Sequence, residues 1–171
     1  TLAGVAVSGD QVSFSGQFSG GFTFEGQSYS QVGSVDSATA TDDVFVGALG
    51  LDGTKRWLHH LGSPGLERVV GMDVGLRGEV LLQGVNTWPL DFQGKHLGAS
   101  GRFVAAFTSA GASLWARSLS SSKLDTVDVS VLSTGEVVVG GILEEGAATT
   151  LEDQRYVSRG RKDLIFFKLR P

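Results

Sequence analysis

"GEVLLQG" at residues 78–84 and "GEVVVGG" at 135–141 are nearly the same phrase, written 57 positions apart. Around them more matches fall into line. "DDVFVGALGLDGTKRWLHHLGS" (42–63) aligns with "GRFVAAFTSAGASLWARSLSS" (101–121), placing Phe45 on Phe103, Gly53 on Gly111, Trp57 on Trp115 and Leu61 on Leu119. "KDLIFFKLRP" (162–171) is a third copy of the start of that segment, with Asp163 on Asp43 and Leu169 on Leu49. "GDQVSFSG" (9–16) is a third copy of the opening phrase, and "FTFEGQ" (22–27) resembles "LDFQGK" (90–95). Anchors of different types keep their order in each copy, which is the mark of an internal repeat. The repeats run over about 1–68, 69–125 and 126–171.

Each copy predicts four strands. The first is "AGVAVS" (3–8), "VVGMDVG" (69–75) or "TVDVSVL" (126–132), where Val127, Val129 and Val131 alternate with Asp128 and Ser130 at the two-residue period of a strand. The second is the glycine-ended strand of the opening phrase. Its "VLL" (80–82) and "VVV" (137–139) are apolar on consecutive positions, so both faces are expected to be covered. The third is "VFVGAL", "FVAAF" or "LIFFKL", and the fourth carries Trp57 or Trp115. Between third and fourth, Gly53 and Gly111 mark turns needing positive φ. No stretch shows a helical stripe, and 25 glycines against 3 prolines suit many short strands joined by tight turns.

The expected fold is therefore all-β: about three four-stranded antiparallel repeats, stacked as β-propeller blades. A lone four-stranded sheet cannot bury two apolar faces, so blades must stack on one another. The third copy lacks its tryptophan strand, and "LEDQR" (151–155) replaces the phenylalanine and glycine of the other copies. The two ends of the chain thus cut the repeat at nearly the same phase. Three blades fall short of the roughly 4–8 of a closed propeller. The arc is expected to be part of a larger propeller, completed by a protein partner, by further blades of a larger chain, or by a homo-oligomer.

The Gly-led "GEVxxxG" strand, "DFxG", "DxFVxxL", "DG" and the tryptophan strand together resemble the bacterial seven-bladed β-propeller repeat family over nearly the whole chain. What that resemblance implies is a secreted, periplasmic or cell-surface protein of structural or binding role, with no assigned chemistry.

The residues themselves nominate no reaction. With no cysteine there is no disulfide, thiolate nucleophile or cysteine-based zinc site. A net charge of −4 gives no case for nucleic acid. No apolar run reaches the roughly 18 residues that a transmembrane helix needs, and the first residues do not read as a signal peptide. His59 and His60 are adjacent on a strand and face opposite ways, so they cannot share an ion, and His96 lies apart; no metal and no cofactor is expected. Asp43 and Asp163 recur as repeat positions, where a carboxylate caps a turn or accepts backbone N–H groups. Thr1 reads as the first residue of a repeat-phased chain rather than a nucleophile. No calcium loop, phosphate cradle or G-x-S-x-G elbow is present, so no enzyme is expected.

The basic run "RYVSRGRK" (155–162) is offset by Glu144, Glu145, Glu152 and Asp153 and reads as a solvated loop. Trp57 and Trp115 recur in register and are assigned to packing between repeats. Trp88, in "NTWPLDF" (86–92), does not recur; core anchoring is its plain role, and contact with a ligand or partner its sharper one. Trp88 and Tyr156 are the candidate contact residues, placed in or near the variable connections 17–42, 85–100 and 142–162. The leading expectation is a non-enzymatic interaction or structural module. A lectin-like module stacking sugars on Trp88, Tyr29 or Tyr156, and an enzyme with an axial active site completed by other blades, are the alternatives.

Overall fold

The computed structural model describes residues 1–33, 41–98, 100–119, 124–151 and 154–169. All regular structure there is β. The first repeat comprises β1 (Leu2–Ser8), β2 (Gln11–Phe18), a short hairpin of β3 (Gly21–Phe24) and β4 (Gln27–Ser30), then β5 (Asp43–Gly50) and β6 (Lys55–Leu61). The second comprises β7 (Glu67–Val74), β8 (Val80–Asn86), the hairpin β9 (Leu90–Phe92) and β10 (Lys95–Leu97), then β11 (Gly101–Phe107) and β12 (Ser113–Leu119). The third has β13 (Leu124–Val131), β14 (Val137–Glu144), the hairpin β15 (Ala148–Leu151) and β16 (Gln154–Val157), and β17 (Lys162–Leu169).

Three antiparallel sheets result, ordered β1-β2-β5-β6, β7-β8-β11-β12 and β13-β14-β17. The predicted strands all form, and the third sheet has three strands among the described residues, as the missing tryptophan segment implies. One expectation changes. The connections read as variable loops each contain a two-stranded hairpin. Its turn in the first two repeats has positive φ at a non-glycine and then a glycine, Glu25–Gly26 (45° and 77°) and Gln93–Gly94 (46° and 72°), the geometry of a two-residue hairpin turn. In the third repeat Glu152 and Asp153, set against the basic run in the sequence, lie outside the described residues.

The glycines of the opening phrase now have distinct reasons. Gly78 and Gly135 take positive φ (78° and 84°) in turns closed by bonds from Gly78 N to Gly75 O (3.0 Å) and Gly135 N to Leu132 O (2.8 Å). Gly53 and Gly111 do the same at the β5–β6 and β11–β12 turns (83° and 85°). The later glycine does not end its strand, which runs past it to Phe18, Asn86 or Glu144. Gly16, Gly84 and Gly141 instead lie opposite Leu2, Val69 and Thr126, and in each case the next residue of the inner strand is an unpaired bulge. Bulges recur at equivalent places only when the surrounding geometry recurs. Gly84 also lies under the Phe103 ring of the neighbouring strand: a Cβ there would stand 2.4 Å from Phe103 Cζ and 2.7 Å from Arg68 O.

The sheets stack face to face through two cores. β1 runs beside β7, and β7 beside β13. Between the first and second sheets lie Val44, Val46, Ala48 and Trp57 on one side, and Val80, Leu82, Phe103, Ala105 and Phe107 on the other, with Leu90, Phe92 and Leu97 of the hairpin closing the rim. Between the second and third lie Leu81, Val104 and Ala106, facing Val137, Val139, Phe167 and Leu169. Consecutive residues of β8 and β11 thus feed opposite cores, which is why "VLL" (80–82) and "FVAAF" (103–107) are apolar at every position. Asp73 ties the second sheet to the third by accepting from Ser130 Oγ and Val131 N, both at 2.8 Å.

Candidate interaction surfaces and a buried acid cluster

The outer faces of the end sheets repeat the pattern of the buried faces without being covered. On the first sheet Val12, Phe14, Phe45 and Leu49 occupy the positions that Val80, Leu82, Phe103 and Phe107 fill in the second. In the second sheet those four are buried; in the first they are only half-buried and line an open hollow with Phe22 and Phe24 of the first hairpin. Ring contacts join Phe22 to Phe45 (5.5 Å), Phe14 to Phe45 (6.1 Å) and Phe22 to Tyr29 (5.0 Å). On the third sheet Phe166, 70% exposed, takes the ladder position of Val104, which is 0% exposed, and Leu164 is exposed beside it. Burial of an apolar side chain of this size is worth about 1.5–3 kcal/mol. Contiguous apolar faces of this kind mark interaction surfaces on a soluble protein.

The sequence candidates are distributed as follows. Trp57 and Trp115 do pack between sheets. Trp88 differs from its plain reading: it is 55% exposed rather than a core anchor. Asn86 Nδ2 donates to Trp88 O and Gly98 O, both at 2.8 Å, fixing the backbone of the bend while the indole stays outside. Tyr156 is on the third hairpin and packs against the second core, and Tyr29 belongs to the apolar outer face of the first sheet, so no shared aromatic platform forms from the three. His59 and His60 point opposite ways as expected. His59 Nε2 approaches Gly111 O at 2.6 Å across the sheet interface, and His60 Nε2 approaches Asp43 Oδ2 at 2.5 Å. The turn-capping role of the recurring aspartates is present twice: Val32 N donates to Asp43 and Arg159 N donates to Asp163, each at 2.7 Å. His96 pairs with Asp91 at the surface (2.7 Å). Among the described residues no group of three or more His, Asp or Glu side chains is arranged to hold a metal ion.

The sequence reading missed one site, a polar cluster at the rim of the first sheet. Glu67, wholly buried, accepts from Ser63 N (2.8 Å) and Ser63 Oγ (2.5 Å) beside the Asp43–His60 pair. Gly62 is required here, since a Cβ would fall 2.2 Å from Asp43 Oδ2. The available signal was a glutamate opening a strand where the next repeat has Leu124. A serine, a histidine and two acids are thus neighbours, but Ser63 bonds to Glu67 and His60 to Asp43. With no hydroxyl–imidazole bond joining them, the set does not form a nucleophile with its base.

Burial holds the Glu67 carboxyl above the usual carboxylate range, and the nearby Asp43 pushes the same way, against the bonds from Ser63 and the influence of His60. An acid raised in the folded state is ionised first in the unfolded chain. Its favourable contribution is complete below the unfolded value and is lost as pH rises toward the folded one. Glu67→Gln is therefore expected to gain stability relative to the parent as pH goes from 4 to 7, read as the difference in urea midpoints. A gain that shrinks over that range would show that the acid is needed ionised.

Comparison with known proteins finds no family model that matches the chain and no curated protein similar to it.

Proposed function

We propose that this chain is an arc of three β-propeller blades and serves as a non-enzymatic interaction or structural module, its two end faces covered by further blades of a larger polypeptide or assembly. The observation that carries the reading is the inequality at equivalent positions. Phe166 is exposed where Val104 is buried, and Phe45 is half-open where Phe103 is sealed. Repeat units of this sort gain stability from nearest-neighbour interfaces, so an uncovered end is an unmade interface. The resemblance to bacterial propeller repeats agrees with this reading and extends it to a secreted or cell-surface setting. Trp88, an exposed ring on the bend held by Asn86, does not by itself make a sugar site.

The test is the state of the purified chain. Light scattering after size exclusion at micromolar concentration is expected to show concentration-dependent association, with binding of a hydrophobic dye that Phe166→Asp and Val5→Asp reduce. A monodisperse monomer with no dye binding would falsify the proposal.

A further inference from the structure

One contact latches the rim between the first and second sheets. Trp57 of β6 reaches across, and its indole N–H donates to Ser109 O at 2.9 Å. Its ring stacks on Phe107 at 6.0 Å and lies so close over Gly111 that a Cβ there would meet ring carbons at 2.7 Å. The receiver is the turn that leads from the third strand of a sheet into its fourth. Trp57 is 7% exposed in this seat.

The latch is unfinished twice. Trp115 holds the place of Trp57 one repeat later, and its receiver would be a turn leading out of β17. β17 pairs with β14 alone among the described residues, and beside Trp115 lies a cleft of about 270 Å³ lined by Leu81, Ala106, Val131 and Val137. At the other end of the stack the situation is reversed. At the Gly53 turn, which corresponds to the Trp57 receiver, nothing among the described residues lies within 4 Å of the Gly53 Cβ position. Among the described residues, one end has a tryptophan without a turn, and the other a turn without a tryptophan.

We propose that the free edge of β17 binds one further antiparallel strand, which a turn leads in, with glycine four residues ahead of a tryptophan. The inference rests on the reading of the chain as a propeller arc, and names what completes it. The pattern of the occupant is taken from the two fourth strands in this chain, Gly53 with Trp57 and Gly111 with Trp115. Both run antiparallel to their third strands. Backbone groups of β17 supply the pairing, as in strand addition to any open sheet edge, and the turn closing over Trp115 supplies the selectivity. The glycine is needed at positive φ and because the indole lies where a Cβ would be. The tryptophan of the incoming strand then projects to the next sheet, as Trp57 does. A second copy of this chain does not meet the requirement, because its β6 and β12 are already paired with β5 and β11.

The probe is a fluorescein-labelled peptide with the sequence of residues 108–119, TSAGASLWARSL, titrated with the purified chain and followed by anisotropy. Saturable binding is expected. Trp115→Ala in the chain, and separately glycine-to-valine in the peptide, are each expected to weaken it at least about tenfold, as for loss of a buried aromatic anchor. The peptide variant keeps the test sound should Trp115→Ala disturb folding. No binding, or binding indifferent to both changes, overturns the inference. If the chain still self-associates through its apolar faces in that case, the propeller arc stands and the strand site alone falls; a quiet monomer that ignores the peptide removes both.

Discussion

Gly84→Ala is expected to destabilise the protein by about 3 kcal/mol, the upper end of what forcing extra carbon into a packed core costs. The added Cβ would stand 2.4 Å from Phe103 Cζ and 2.7 Å from the Arg68 carbonyl. Phe103 has no room to give way, being fully buried within the core between the first two sheets. Relief would mean moving the bulge at Val69–Gly71 as well, since Gly84 pairs with Val69 there. Gly16→Ala is the informative control. Its Cβ meets the same kind of ring, Phe45 Cζ at 2.4 Å, and the carbonyl of Thr1 at 2.3 Å. Phe45, however, faces the uncovered side and can rotate outward, leaving the clash with the Thr1 carbonyl, so the loss is expected to be smaller, about 1–2 kcal/mol. Urea denaturation followed by circular dichroism reads both, with midpoints compared at constant slope. Phe103→Leu added to Gly84→Ala should recover part of the loss, because residues in contact are not additive. Equal losses at residues 16 and 84 would show that the cost lies in strand conformation and not in the packed interface.

Trp57→Ala is expected to lose about 4 kcal/mol, in the range for emptying a buried aromatic site. The substitution removes the stack on Phe107, the contact with His59 at 5.2 Å between ring centres, and the bond to Ser109 O, whose carbonyl then loses its partner. Trp115→Ala, at the corresponding position, is expected to lose less than half as much, since its ring borders an open cleft and no turn among the described residues receives it. Hydrogen exchange separates the two further. Loss of Trp57 should raise exchange along β6 and β11 together, because it uncouples two sheets, whereas loss of Trp115, only partly buried against the second core, should act mainly on β12. Matching penalties for the two tryptophans would contradict the view that the rim latch is complete in one place and unfinished in the other.

Both contrasts set residues that the sequence makes equivalent against surroundings that differ. The order of strands, the turns at Gly53 and Gly111, the opposite facing of His59 and His60 and the three described strands of the third sheet were all legible, because they follow from a two-residue period, from turn chemistry and from a repeat. These are local rules, satisfied by a few neighbouring residues. The hairpins inside the variable connections were less legible: "SYS" and "KHL" are too short for a period to register, and only pairing across a two-residue turn makes them strands.

Other features depended on contacts between distant segments. Trp88 reads as a core residue by type, yet the bonds from Asn86 leave its ring in solvent. Glu67 reads as an ordinary strand glutamate, but burial raises its carboxyl above the usual range, with Asp43 pushing the same way against the bonds from Ser63. By itself the sequence determined which residues form the strands of the three main sheets and that each sheet has two apolar faces. Only the tertiary structure decided which faces are covered. "FVAAF" and "LIFFKL" carry the same apolar alternation on both sides, and a side chain is buried not by its own hydrophobicity but by whatever stands opposite it.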